Sequence, residues 1–323
     1  MSAPALPADD GHSPGRLVWR TFHRNRPAVL GFWVVLAFFL IALIGIALTK
    51  GAHPVLDPRE VRLPDRLQAP LARPNHAAVP AASLPRLGVY LLGTDELGRD
   101  VFARMLEGAF VSLSVGFVAV GLAVFIGIVL GGLAGYYGPR RLGIGPVRLL
   151  RVDTLITALI DVMLSFPTFF LILTVIAILR PSIWNIMVVI GLTSWEGPAR
   201  LVRAEILSLR EREFVHAAQA AGAPGRRMIG RHLLPNAVGP VLVSATLGVA
   251  GAILIESSLS FLGFGVPPPN ATWGNILADG KRYIFDAPWL TLVPGTAILI
   301  VVLAFNLFGE GLREAFNPRL REG

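Results

Sequence analysis

The two lysines are the first residues to examine for phosphate chemistry, because a nucleotide-binding loop needs a lysine at a fixed place. In the pattern Gly-x-x-x-x-Gly-Lys-Ser/Thr, backbone amides and that lysine hold the phosphates. Lys50 precedes Gly51 and Lys281 precedes Arg282, so neither fits. The chain has no cysteine, which excludes thiolate metal sites and cysteine nucleophiles. We therefore predict that the chain is not an enzyme and does not hydrolyse ATP by this route.

Histidines are the next candidates, since two of them lie within one Arg-rich loop. His216 and His232 lie 16 positions apart, and the chain has no His-Glu-x-x-His metal motif. We interpret both as surface polar residues rather than metal ligands, and we predict no cofactor.

Glu256 is the acidic residue that lies deepest in an apolar run. Placing a charge at the centre of a membrane helix costs at least about 2.5 kcal/mol on insertion scales. Two interpretations remain open. Glu256 lines a translocation pathway filled with water, or it packs inside the protein with Ser257, Ser258 and Ser260 as hydrogen-bond partners.

The elements that must position these residues are membrane spans. The chain is 54% hydrophobic and 15% charged, whereas soluble domains average about 25% charged. About 20 apolar residues cross a bilayer as a helix. Six segments meet this length approximately: 28–48, 109–134, 155–179, 183–199, 237–263 and 290–308. The sequence therefore predicts an all-α integral membrane protein with six transmembrane helices.

Charge predicts the orientation and the partners of these spans. The net charge of +8 comes mostly from arginines scattered among apolar segments, which favours contact with membrane lipid over nucleic acid. A basic tail, residues 1–27, places the N-terminus inside, and six spans place both termini in the cytoplasm.

Small residues and proline predict details of the spans. Gly127, Gly131 and Gly135 recur every fourth residue, a spacing that allows another helix to approach closely. Pro167 is expected to kink the third span.

A short Arg-dense loop, residues 200–236, separates the fourth and fifth spans, and such loops stay in the cytoplasm. Ala217 and Ala218 belong to a run of small helix formers. Gly222 is expected to end that helix with φ above zero, and Pro224 to open the next one.

This loop resembles the EAA loop of the membrane subunits of bacterial ABC importers. The matching residues are His216-Ala217-Ala218, Gly222 and Leu234-Pro235, with Glu213 just before them. The chain departs from the family pattern at His216, where the family has Glu, and at His232, where it has an apolar residue. The resemblance implies that Glu213, His216, Ala217, Ala218, Gly222, Leu234 and Pro235 form a loop that docks on an ATPase subunit.

Three further motifs resemble the C-type permease subunit of dipeptide, oligopeptide and nickel importers. They are Gly93-Thr94-Asp95 with Gly98-Arg99-Asp100, then Glu256 with Leu259–Gly263, Pro269 and Trp273-Gly274, and finally Asn306, Gly309, Leu312, Arg313 and Pro318. Asp161, Phe166 and Pro167 match a fourth family stretch, although Ala158 stands where the family has Arg.

For the first motif, we predict that Thr94 or Asp95 caps a helix running from about Glu96 along the membrane surface. We favour a structural lead-in to the second span over direct contact with substrate.

The resemblance implies the fold and its divisions. It implies a type I ABC importer permease fold with a cytoplasmic tail (1–27), a first span (28–48), an extracytoplasmic segment with an interfacial helix (49–108), a five-helix core (109–309) containing the coupling loop (200–236), and a cytoplasmic tail (310–323).

The resemblance also implies partners and a location. The partners are a homologous second permease, two ATP-binding-cassette ATPase subunits and an extracytoplasmic solute-binding protein, assembled in the bacterial inner membrane. The chain would form half of a pathway for peptides or a related small solute. The alternative function is a self-contained channel or secondary transporter, which would need its own ion-coupling residues within the membrane.

Overall fold

The computed structural model describes residues 14–51, 54–138, 141–144 and 147–316. Residues 1–13 and 317–323 of the two predicted tails lie outside this description. The helices are α1 (Pro14–Arg24), α2 (Arg26–Thr49), α3 (Val101–Tyr137), α4 (Val152–Leu164), α5 (Thr168–Ile178), α6 (Ile183–Thr193), α7 (Glu196–Arg210), α8 (Glu213–Ala220), α9 (Gly225–Arg227), α10 (Leu234–Phe261), α11 (Trp273–Gly280) and α12 (Trp289–Phe316). One short hairpin, β1 (Arg141–Ile144) with β2 (Val147–Arg151), joins α3 to α4 and was not predicted.

Within the described residues, four helices are long and apolar enough to cross a membrane: α2, α3, α10 extended back to Gly225, and α12. The predicted third span is the pair α4 and α5, which meet at an angle of 80°. Pro167 directly precedes α5, so the expected break at this proline is confirmed. The predicted fourth span is shorter than expected, because α6 ends at Thr193 and α7 begins again at Glu196.

The glycine stripe on α3 packs against α7, as the sequence predicted. A Cβ added at Gly131 would overlap the carbonyl oxygen of Ala199, and one at Gly135 would lie 2.8 Å from the side chain of Ile206. Only glycine leaves room for the backbones to approach so closely. This contact attaches the helix that precedes the Arg-rich loop to the longest helix of the protein.

The described parts of the two predicted tails are helical. Residues 14–24 form α1, and α12 continues to Phe316 rather than ending at the predicted boundary. Asn25 joins these elements, since its side-chain oxygen caps α2 at the Ala28 N–H and its amide donates to Glu314 at 2.6 Å. Phe22 and Ala315 are buried beside this junction. An apolar face on α1 explains why this basic stretch is helical.

The predicted interfacial helix is not a separate element. Thr94 and Asp100 pair across a tight turn, and α3 then begins at Val101 with the Asp100 carboxylate accepting from the Phe102 N–H at 2.8 Å. Asp100 is therefore the cap, in place of Thr94 or Asp95, and the first turns of α3 continue into the long helix without a break. Helix α3 starts here because the two glycines of the motif, both with positive φ, keep the preceding residues in turns.

Candidate functional site

Helix α8 presents most of its side chains to solvent. Val215 is its one fully buried residue, and it packs with Val202, Ile206, Met228 and Leu233. Glu213, His216 and Ala217 are exposed, and Ala218 is half-buried. A helix held to its own protein along one side leaves the opposite side available for another surface. The sequence-predicted site residues of α8 therefore lie together on one small helix.

Gly222 ends α8 as predicted, with φ of +78°. Its N–H donates to the Gln219 carbonyl at 2.9 Å, and the Ala223 N–H donates to the Ala218 carbonyl at 3.1 Å. These two bonds form a Schellman motif, in which glycine supplies the left-handed residue. Pro224 precedes α9 as its N-cap instead of occupying the first helical position.

The second part of the predicted loop continues into a membrane helix. Residues Met228–Leu233 form a π-helical turn, and Leu234 and Pro235 open α10. Leu234 is half-buried and Pro235 is exposed. His232, at the position where the resemblance has an apolar residue, is half-buried as well. The structure thus places Leu234 and Pro235 at the junction between the loop and the span. Leu234 and Ala218 of α8 pack against the same buried cluster.

An ion pair that the sequence analysis missed joins α4 to α7. The Arg203 guanidinium donates through Nε to Asp153 Oδ1 and through Nη2 to Asp153 Oδ2 at 2.8 Å. Such a two-bond geometry fixes orientation as well as distance. In the sequence, Asp153 stands at the start of one apolar segment and Arg203 in the Arg-rich loop, 50 residues later. Nothing in the sequence pattern links the two. Asp161, in contrast, has only a loose partner, Arg200 at 3.9 Å, and both are exposed.

Glu256 is fully buried and surrounded by hydroxyl groups. Ser260 Oγ donates to Oε1 at 2.7 Å, and Ser112 Oγ on α3 donates to Oε2 at 3.2 Å. Ser112 Oγ in turn accepts from the backbone N–H of Trp273 at 3.3 Å. Glu256 therefore joins α3, α10 and the start of α11. Of the three serines proposed from the sequence, Ser260 binds the carboxylate, whereas the Ser258 hydroxyl donates to the Leu254 carbonyl.

A separate cavity of about 200 Å³ lies between α3, α6, α7 and α10. On α10 it is lined by the small residues Ser244, Gly248, Gly251 and Ala252. These residues share one face of the helix, since they recur at spacings of three and four. Glu256 lies one turn further along α10 and does not line this cavity, because its carboxylate is held by the hydroxyls of Ser112 and Ser260.

A network of paired charges lies at the start of α3, and we call Asp95, Arg99, Arg104 and Asp279 the entry network. Asp95 and Arg104 are buried, whereas Arg99 and Asp279 are half-buried. Asp95 is fully buried and accepts from Arg99 Nε at 2.7 Å and from Arg104 Nη1. Arg104 also reaches Asp279 of α11 at 2.9 Å. The network fastens α11 to the first turn of α3. This arrangement supports the expected structural role of the Gly-Thr-Asp motif.

The Asp100 carboxyl and the Tyr90 hydroxyl have pKa values above their ordinary ones. Burial raises the pKa of the Asp100 carboxyl above its ordinary value, against the lowering effect of the Phe102 N–H that it accepts from. Burial, followed by the hydrogen bond to Asp65, raises the pKa of the Tyr90 hydroxyl, which donates to Asp65 at 2.6 Å. Tyr90 and Asp65 thus form an ordered polar core within a segment that has little regular secondary structure.

Comparison with known proteins gives two family matches. The family described as binding-protein-dependent transport system inner membrane component matches residues 127–322. The N-terminal transmembrane domain of oligopeptide transport permease C matches residues 13–70.

Individual relatives match almost from end to end. The dipeptide transport system permease protein DppC of Alkalihalophilus pseudofirmus is 38% identical over 96% of this chain and 91% of the relative. The di/tripeptide transport system permease protein DppC of Pseudomonas aeruginosa is 37% identical over 96% of this chain and 93% of the relative.

One solved structure supports the fold. The MetNI methionine ABC transporter in an inward-facing conformation matches with a TM-score of 0.51 and 19% identity, over 67% of this chain and 98% of the solved chain. At that identity the likeness concerns the fold alone.

Proposed function

Because the chain belongs to the family of binding-protein-dependent transport system inner membrane components, we propose that it forms half of the translocation pathway of an importer for peptides or a related small solute. Family membership decides between the two function classes left open by the sequence: the chain is the membrane permease subunit of an ATP-driven importer, and hydrolysis belongs to separate subunits. The peptide assignment rests on one observation, the end-to-end similarity to permeases named for dipeptides and di/tripeptides.

The geometry of α8 supports a coupling role for Glu213, His216, Ala217, Ala218 and Gly222. The helix is fixed on one side by Val215 and exposed on the other, so a partner groove could move it as a unit. Its motion would pass to α7 through the packing of Val215 against Val202 and Ile206, and from α7 to α4 through the Arg203–Asp153 ion pair. It would pass to α10 through the continuous segment from Gly225. In this proposal, closure of the ATPases draws the loop inward and switches the translocation pathway between outward-facing and inward-facing states. Leu234 and Pro235 form the hinge between loop and span.

The proposed assembly contains a homologous second permease, two ATPase subunits and an extracytoplasmic solute-binding protein. Both termini and the loop 200–236 lie in the cytoplasm, and the segment 49–100 lies outside. The arginines of α1 and of the loop support this orientation.

Co-expression with the partner subunits tests the function. We expect no ATP turnover by the purified chain alone, and turnover with uptake of a labelled dipeptide when the ATPases and the loaded solute-binding protein are present. Hydrolysis by the isolated polypeptide would contradict the proposal. If uptake is coupled but dipeptides do not compete for it, the permease role stands and the peptide assignment fails.

Cysteine labelling tests the orientation, and the chain contains no native cysteine that would interfere. Ala78 and Gln219 are both exposed. We expect Ala78→Cys to react with an impermeant thiol reagent in intact cells, and Gln219→Cys to react only after the membrane is opened. Labelling of position 219 from outside would overturn the whole topology.

A further inference from the structure

A large apolar groove runs between α1 and the first turns of α10, and we call it the α1 groove. Its volume is about 930 Å³, and α2 and α12 form its floor. Aromatic side chains dominate its walls: Trp19, Phe22, Phe32, Trp33, Phe308 and Phe316. Trp19 and Trp33 are more than half exposed. A groove of this kind accommodates a long apolar chain.

Helix α1 divides its surface into three parallel stripes, because residues four apart lie on one face. Val18 and Phe22 face the protein, and Phe22 is buried. The next stripe, Gly15, Trp19 and His23, forms the rim of the α1 groove. Each residue of the third stripe, Arg16, Arg20 and Arg24, directly follows a rim residue in the sequence. The rim of an apolar groove is therefore bordered by a row of positive charge.

These arginines are exposed and, within residues 14–51, 54–138, 141–144 and 147–316, form no ion pair. The acids of the adjoining helix α12 are engaged elsewhere, since Glu314 accepts from Asn25 and Glu310 pairs with Arg313. The stripe is thus available to an anion from outside the chain.

We propose that the α1 groove binds one anionic phospholipid of the surrounding membrane. Its acyl chain occupies the groove, and its phosphate lies against Arg20 and Arg24. An amphipathic basic helix with tryptophan on its apolar side lies in the headgroup layer, and arginine binds phosphate oxygens through paired N–H donors. A zwitterionic lipid has the same acyl chains but no net negative charge. We therefore expect the arginines of α1 to favour an anionic lipid over a zwitterionic one.

The position of the groove would allow a bound lipid to influence transport. Pro235, Asn236, Val238 and Pro240 form one wall, and they directly follow the π-helical turn of the proposed coupling loop. An acyl chain in the groove therefore contacts the segment through which the loop enters the membrane. This consequence rests on the proposed function, whereas lipid binding itself does not.

Lipid retention by the assembled importer tests the proposal. The complex is placed in nanodiscs of phosphatidylcholine containing a minor fraction of phosphatidylglycerol, and retained lipids are identified by native mass spectrometry. We expect phosphatidylglycerol to be enriched over its bulk fraction. Replacing Arg20 and Arg24 together with glutamine should lower its apparent affinity at least about tenfold, since each arginine near the surface contributes several-fold.

Two further variants keep the test decisive. Val238→Trp places bulk in the groove without changing charge, and it should also reduce retained phosphatidylglycerol. Arg73 and Arg86 are exposed arginines outside the groove, so their double replacement by glutamine removes the same charge and should leave retention unchanged. Thermal unfolding verifies that all variants are folded. Retention at the bulk composition, equal retention by the Arg20 and Arg24 variant, or equal loss from the control would overturn the proposal.

Discussion

Charged residues at the start of α3 are buried and paired, whereas those around α8 face solvent. In the entry network, Asp95 is fully buried and Arg104 nearly so, and Asp279 reaches them from a helix far along the chain. In α8, Glu213 and His216 are exposed, and Val215 alone reaches the interior. Both regions carry motifs of the same family. The charges of the entry network find partners within this chain, whereas Glu213 and His216 face solvent.

The difference favours the proposal that α8 serves a partner, because the polar groups of the entry network are paired within the chain. Buried charges that are fully paired hold elements in one arrangement, and removing one of them is costly. Helix α8 is short and has one buried residue, Val215, so it contributes little to the stability of the protein. Substitutions should therefore destabilise the protein at the entry network, and should impair transport at α8 while leaving the protein folded.

Arg104→Gln should give the largest effect on stability. It removes the cation between Asp95 and Asp279 and leaves a buried carboxylate with Arg99 as its remaining side-chain partner. Breaking a buried pair costs roughly 3–5 kcal/mol when it leaves a charge uncompensated, and because Arg99 still pairs with Asp95 we expect a loss of stability below that range. The measurement is thermal unfolding of the purified chain, with Arg73→Gln at an exposed site as control. Equal unfolding temperatures for the variant and the control would show that the network does not hold α11 in place.

Gly222→Val should impair coupling and leave the spans inserted. A residue with a Cβ pays roughly 1–2 kcal/mol in the left-handed conformation. No atom lies within 4 Å of a Cβ added there, so the strain is confined to the backbone of the turn. We expect weaker ATPase docking in pull-down assays, or intact docking with hydrolysis uncoupled from uptake. Gly222→Asn is the matched control, because asparagine tolerates positive φ better.

If Gly222→Val equals the wild type in docking, ATP turnover and uptake, α8 is not the coupling element. The contrast between the two regions would then lose its functional meaning, although the structural difference would remain.

Local rules explain what could be predicted from the sequence. The glycine stripe, the break at Pro167 and the positive φ of Gly222 each follow from the backbone properties of one residue type, so they need no knowledge of distant contacts. The helix cap at Asp100 was assigned to the wrong residue because Thr94, Asp95 and Asp100 all have side chains that cap helices. Only the turns imposed by two glycines place the helix start after Asp100.

Distant partners explain what could not be predicted. Arg104 and Asp279 are 175 residues apart, and many other acids in the sequence would pair equally well on charge alone. The sequence does not predict helix α1 within the basic tail, because the apolar stripe of Val18 and Phe22 is short and its partners Phe308 and Leu312 lie at the other end of the chain. The family resemblance supplied the coupling residues, but it contained no information on what covers the α1 groove.

Glu256→Gln should have a smaller effect, and it separates the two interpretations of this residue. The amide keeps the size of the carboxylate, and the hydroxyls of Ser112 and Ser260 can reorient toward it. A lost hydrogen bond inside a protein contributes about 1 kcal/mol. Since the carboxylate is enclosed by α3, α10 and α11, we expect a modestly lower unfolding temperature and an unchanged pH profile of uptake. A shifted pH profile with normal stability would instead support a position on the pathway.

His216→Glu should have the smallest effect, because it restores the family residue at an exposed position. Within α8, a new carboxylate gains little from the helix dipole beyond the first turn, and it faces Glu213 three residues earlier. Such like-charged pairs lower helix stability by only a few tenths of a kcal/mol, so the unfolding temperature should match the wild type. Uptake should be retained, and ATPase affinity should rise if the docking groove presents a basic residue. Pull-down and uptake assays beside His216→Ala distinguish the gain of a carboxylate from the loss of an imidazole. Loss of uptake with His216→Glu alone would mean that this importer has replaced the family contact at position 216 with one specific to histidine.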